Sequence, residues 1–79
     1  MVTVHRAHGC RFVIYTNDHA PAHVHIVGNG CEAKVQLDGP QGLELVWQHG
    51  FGRAELRRIM DEVLRERARL LECWRQIHG

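Results

Sequence analysis

Apolar and polar residues alternate along the first half of the chain and recur at three- and four-residue intervals along the second. Alternation is the mark of a strand with one buried face, and the longer period is that of an amphipathic helix. Residues 2–4 read as a short first strand, and Gly9 lies in a turn over residues 5–10. Residues 11–16 are dense in β-branched and aromatic side chains and form a second strand, with Phe12 and Ile14 on one face and Val13 and Tyr15 on the other. Pro21 excludes a continuing helix and biases Ala20 toward an extended backbone, which makes residues 17–22 a loop and residues 23–27 a third strand.

Asn29-Gly30 between two β-runs is a strong hairpin signal, because a type I′ turn needs positive φ at both central residues. Placing that pair at the turn sets the register by counting. Gly28 then faces Cys31, Val27 faces Glu32, Ile26 faces Ala33, His25 faces Lys34, Val24 faces Val35, and His23 faces Gln36. Directly opposite residues share a face. Val24, Ile26, Ala33, Val35 and Leu37 form an apolar face, while His23, His25, Glu32, Lys34 and Gln36 form a polar one. A slip of one residue would mix the two sets, so the pattern itself supports the register.

Residues 38–42 are turn-forming, and residues 43–47 read as a further strand with Leu43, Leu45 and Trp47 toward the core. From Arg53 to Ile77 the apolar positions Leu56, Ile59, Met60, Val63, Leu64, Leu71, Trp74 and Ile77 follow a helical stripe, with Gly52 as N-cap and Glu55 three residues on. A continuous helix of that length spans ~36 Å, against a radius of gyration of ~12 Å for a domain this size. The helix therefore breaks near Arg67-Ala68 or overhangs onto another subunit. An unbroken or gently bent helix is the expectation. Arg67, inside the apolar seam, either snorkels to solvent or pairs with a buried acid. The pattern predicts an α+β domain: an antiparallel sheet of four or five strands with one long C-terminal helix packed on one face. Residues 1–50 form the β-rich half and residues 53–77 the helix of a single domain.

Composition narrows the function only slightly. The 79 residues suffice for one domain with a thin core. A formal net charge of +1 gives no global pull toward nucleic acid or membrane. The arginines of the helix are interleaved with acids. Arg57 with Asp61, Arg58 with Glu62 and Asp61 with Arg65 have the i,i+4 spacing of a solvated face. Cys10, Cys31 and Cys73 form no C-x-x-C pair, which favours reduced thiols in a cytoplasmic protein. No apolar run approaches the ~20 residues that span a bilayer, and no signal peptide is expected.

Chemistry concentrates in Asn17-Asp18-His19-Ala20-Pro21-Ala22-His23-Val24-His25. Histidine is the commonest metal ligand and the side chain that changes charge near neutral pH. Its pattern here admits three uses. His23 and His25 leave the same strand face, and with Asp18 or His19 from the loop they suit a divalent metal such as zinc, or iron with open positions. Lys34, opposite His25, disfavours a metal unless Glu32 balances it. Alternatively His23 and His25 act as acid and base on a phosphodiester, with Lys34, Glu32 and Arg11 as supporting residues. Third, the chain is a non-catalytic interaction module, either a homodimer through Leu71, Trp74 and Ile77 of the C-terminal helix or a nucleic-acid binder. The bland counterpart is a wet sheet face of histidines, with Trp74 completing the core. His5, His8, His49 and His78 read as surface or packing residues.

The chain resembles a small prokaryotic family known as domain of unknown function 4160. The resemblance rests on Thr3-Val4, Arg11-Phe12 with Tyr15, Asn17-Asp18-His19 with Pro21 and His23-Val24-His25, Glu32-Ala33-Lys34, Gly50-Phe51, Glu55-Leu56-Arg57, and Leu70-Leu71-Glu72 with Trp74. Val2 and Gly52 depart from the usual proline and the usual serine or threonine. The resemblance implies that His19, His23, His25, Glu32 and Lys34 belong together. It also implies a toxin–antitoxin-type module, encoded beside a cognate small protein and acting on or near nucleic acid.

Overall fold

The computed structural model describes all 79 residues. Five strands follow the chain in order: β1 (Val2–Ala7), β2 (Cys10–Ile14), β3 (His23–Gly28), β4 (Cys31–Gly39) and β5 (Gly42–His49). They form one antiparallel meander in which each strand pairs with its neighbours in sequence. Two helices complete the chain, α1 (Arg53–Arg65) and α2 (Arg67–His78). No helix is long and apolar enough to cross a membrane.

The β3–β4 register is the one that alternation predicts, pair for pair from His23↔Gln36 to Gly28↔Cys31. Its turn differs in kind. Gly30 has φ +75° but Asn29 does not share the left-handed region, so the turn is not type I′. Both central residues are left-handed instead at His8-Gly9, with φ 54° and 72°, between the paired Ala7 and Cys10.

One sheet face is the core. Phe12, Ile14, Val24, Ile26, Ala33, Val35 and Leu37 are closed off from solvent and pack with Phe51, Ile59, Val63, Leu70 and Trp74. Burying such side chains contributes roughly 1.5–3 kcal/mol each against exposure. Trp74 is buried in this core, and Leu71 and Ile77 lie partly buried against the same cluster.

Two expectations fail here for physical reasons. The single long helix is two helices. Glu66, at φ −98° and ψ 8°, interrupts the stripe, and its N–H turns toward the carbonyls of Glu62 and Leu64. The longest dimension of the protein is 34 Å, shorter than the continuous helix would be. Breaking the rod lets Ile59 and Val63 on one side of the joint, and Leu70 and Trp74 on the other, all reach the sheet. Arg67 neither snorkels free nor meets an acid: its Nε donates to the Leu37 carbonyl at 2.6 Å, tying the joint to β4. The ion pairs along the helices are i,i+3 pairs, Glu62–Arg65, Glu66–Arg69 and Glu72–Arg75, rather than the i,i+4 pairs expected from spacing.

The second failure concerns Trp47. Lys34 pairs with Trp47 but Val35 pairs with Leu45, so β5 carries one extra residue, Val46, between them. Leu43 and Leu45 pack on the core as expected, whereas the bulge turns Trp47 to the face of Lys34 and leaves it 40% exposed.

Candidate metal centre

The face opposite the helices holds the histidines, at the end of the sheet where the β2–β3 loop crosses. It is not a wet face. His23 and His25 are buried, and the aromatic side chains closing over them come from β5, α2 and the β2–β3 connection. Tyr15 meets His25 edge-on at 4.7 Å, Trp47 of β5 approaches it at 5.8 Å, and Trp74 of α2 lies 5.0 Å from His23. The two imidazoles are themselves 5.3 Å apart, as expected for residues two apart on a strand.

Each ring is held by its Nδ1. His23 Nδ1–H donates to the Pro21 carbonyl at 2.9 Å, and His25 Nδ1–H donates to Glu32 Oε2 at 3.1 Å. A neutral imidazole carries one proton, so this assignment leaves Nε2 of both rings as a lone pair. Burial pushes the His25 pKa down from its ordinary value, against the raising effect of the Glu32 hydrogen bond and the Asp18 charge. The neutral form is the ligating form.

Both lone pairs face one carboxylate oxygen. Asp18 Oδ2 is 3.0 Å from His23 Nε2 and 3.8 Å from His25 Nε2. The loop brings it there through a turn in which Asp18 N–H donates to the Tyr15 carbonyl at 3.1 Å. Asp18 Oδ2 and His23 Nε2 are buried atoms with no hydrogen-bond partner. One ligand atom from each of Asp18, His23 and His25 fits within a span of 4.8 Å. Acceptors gathered in a buried place without donors are costly unless a cation joins them.

Of the residues expected from sequence, Asp18, His23 and His25 come together, with Glu32 behind His25. His19 is exposed and outside the ligand cluster, but it lines the adjoining surface cavity. Lys34 lies beside His25 in the ladder and lines a surface cavity of about 400 Å³ with Asp18, His23 and Gln36. Arg11 pairs with Val27 and Arg6 in the sheet ladder, and its charge reaches Tyr15, which packs on His25, but it supplies no ligand atom to the cluster. The aromatic surround of Tyr15, Trp47 and Trp74 was not foreseeable from spacing, since each residue comes from a different element. His78 joins it from the end of α2, its ring 4.0 Å from Trp74.

A second polar cluster, on the helix side, takes in His5 and His8, which the sequence left as surface or packing residues. His5 Nε2–H donates to Glu62 Oε2 at 2.6 Å, while Arg69 donates to His5 Nδ1 at 2.7 Å and to the Val4 carbonyl at 3.0 Å. His8 Nε2 stands 3.7 Å from Glu62. Arg65 also binds Glu62, and together with His5 it holds that carboxyl below its ordinary range. Every member is paired, so this cluster fastens β1 to the helices rather than offering a site.

No curated protein and no solved structure matches the chain. The family model for Domain of unknown function (DUF4160) matches residues 9–75, a span that takes in the Asp18–His25 motif, Glu32, Lys34 and the helix stripe, and the chain belongs to that family.

Proposed function

We propose that this protein binds a divalent transition metal through Asp18 Oδ2, His23 Nε2 and His25 Nε2. The observation that carries the reading is the pair of imidazoles, each tied by Nδ1 and each turning Nε2 toward the same unpartnered carboxylate oxygen. Metal-ligating histidines typically donate their other nitrogen to a carbonyl or carboxylate in this way. Ligand atoms about 2.1 Å from a metal lie roughly 3.0–3.4 Å from one another in tetrahedral or octahedral geometry. The separations from Asp18 Oδ2, 3.0 and 3.8 Å, are near that range, and all three ligand atoms lie within 4.8 Å of one another.

Two nitrogens and one oxygen suit zinc, or iron(II) with open positions. Such an ion supplies Lewis acidity when bound; the protein orients it and shields one side of it with Tyr15, Trp47 and Trp74. Glu32 bonds His25 rather than Lys34, so its charge counters that of the lysine only from a distance on the same strand face. Metal-independent acid–base chemistry by His23 and His25 has weaker support, because their Nδ1 atoms are engaged internally and their Nε2 atoms face Asp18. A toxin–antitoxin-type role with a cognate partner rests on the family resemblance and on no feature of the site.

Untagged protein, titrated with zinc and analysed for metal after desalting, is expected to hold one equivalent. Asp18→Ala and His23→Ala/His25→Ala are expected to lose it while keeping the wild-type circular dichroism. Failure of the wild type to take up stoichiometric metal, or unchanged uptake by the folded variants, overturns the reading.

A further inference from the structure

The cavity beside the cluster indicates what the open side of the centre receives. Lys34 is the only lysine of the chain. It is half-buried, lines the cavity with Asp18 and His23, and takes part in none of the ion pairs of the protein. Gln36, opposite His23, lines the same cavity, with its amide nitrogen toward the Gly39 end. An ammonium without an ion-pair partner in such a recess is a donor awaiting an acceptor.

Charge sets the kind of acceptor. With neutral histidines, a divalent ion and Lys34 together exceed Asp18 and Glu32 in charge, and Arg11 on the same sheet face adds to the positive balance. An anion offsets that excess. Next to Lys34 on the same face is Trp47, its indole 40% exposed and lying nearly parallel to the His49 ring, at 7° and 6.0 Å. Val46, 45% exposed, lines the cavity beside it. An anion joined to a flat apolar group is the description of one nucleotide unit of a single strand. Exposed aromatics beside cationic side chains are how such strands are held without sequence readout.

We propose that the centre receives a phosphodiester of single-stranded nucleic acid. The phosphate sits between the metal side of the cavity and Lys34, and the adjoining base stacks on Trp47. This inference rests on the metal reading above. It makes Lys34 and Trp47 binding residues with distinct parts: the lysine engages charge, and the indole engages the base whatever its identity.

Cobalt(II) substitution separates the two proposals. Its visible bands report the metal environment, and a short oligothymidylate is the probe, with acetate and a carboxylate-bearing peptide as controls. The oligonucleotide is expected to shift the bands and quench tryptophan fluorescence, while acetate and peptide do neither at the same concentration. Lys34→Met and Trp47→Leu are each expected to weaken oligonucleotide binding roughly ten-fold. Cobalt affinity does not fall in Lys34→Met, since removing a nearby cation cannot disfavour a metal. Higher salt weakens binding through the lysine and leaves the stacking contribution. Cobalt bands that form but do not respond to the oligonucleotide overturn this inference alone, as does an equal response to the peptide or unchanged oligonucleotide binding in both variants. Absence of cobalt bands overturns the metal reading and this inference with it.

Discussion

Replacing Glu32 by alanine removes the one acceptor of His25 Nδ1–H. Glu32 would not touch the ion, so its effect on metal affinity isolates how the ring is held. The lost interaction is a 3.1 Å hydrogen bond to a carboxylate whose side chain is 28% exposed. Two consequences follow. The ring no longer prefers the tautomer with a free Nε2, and it loses the charge that makes that nitrogen more basic. Outer-shell partners of this kind are worth about 10–100-fold in metal affinity, which is about 1.4–2.7 kcal/mol. Partial exposure lets water substitute as acceptor, so the lower end applies: roughly ten-fold weaker zinc binding in Glu32→Ala. Glu32→Gln keeps an acceptor oxygen in place and removes only the charge, so its affinity falls between wild type and Glu32→Ala. His25→Ala loses a ligand and binds most weakly. Competition against a chromophoric chelator at fixed pH and ionic strength gives the order directly. If Glu32→Ala binds zinc within about two-fold of wild type while His25→Ala does not, the carboxylate is not what orients the ring. Packing against Tyr15 and Trp47 would then be sufficient.

Two further outcomes concern the fold. The Glu62 carboxyl is held below its ordinary value of 4.5, first by Arg65 and then by His5. A depressed carboxylate contributes stability that is present above 4.5 and is lost as pH falls through the folded value; urea midpoints of the wild type therefore drop on acidification below that point, and Glu62→Gln flattens the drop. Gly50 has φ +86°, and a Cβ there would stand 2.5 Å from the Gly30 carbonyl oxygen. Gly50→Ala is expected to destabilise by more than about 1 kcal/mol, read by thermal melting, and an unchanged midpoint would mean that the β5–α1 corner does not depend on that close approach.

The paired clusters on the two sides of the sheet differ in one respect that matters for function. On the helix side, His5, Glu62, Arg65 and Arg69 satisfy one another, with the Val4 carbonyl taking a further donor. On the opposite side, Asp18 Oδ2 and His23 Nε2 are left without a partner. Similar residue types thus give a fastening in one place and a candidate site in the other. The difference is the surplus of acceptors, not the number of histidines.

Much of this arrangement is local, and what is local can be read from the chain. The β3–β4 register follows from strict alternation, because a one-residue slip would bury Lys34 and expose Val35. The same alternation puts His23, His25, Glu32 and Lys34 on one face, and the loop forced by Pro21 keeps Asp18 near them. What the chain does not announce depends on contacts between distant segments. The bulge at Val46 reverses the face of Trp47, and it is set by how β5 pairs with β4 rather than by alternation along β5. The break at Glu66 appears because a straight rod would overrun the sheet it has to cover. Burial of the two histidines, which turns a polar strand face into a candidate metal centre, needs Tyr15, Trp47 and Trp74 to arrive from the β2–β3 connection, β5 and α2. Periodicity along one strand carries no information about what another segment lays across it, so the residues were determined by sequence and their enclosure by the tertiary fold.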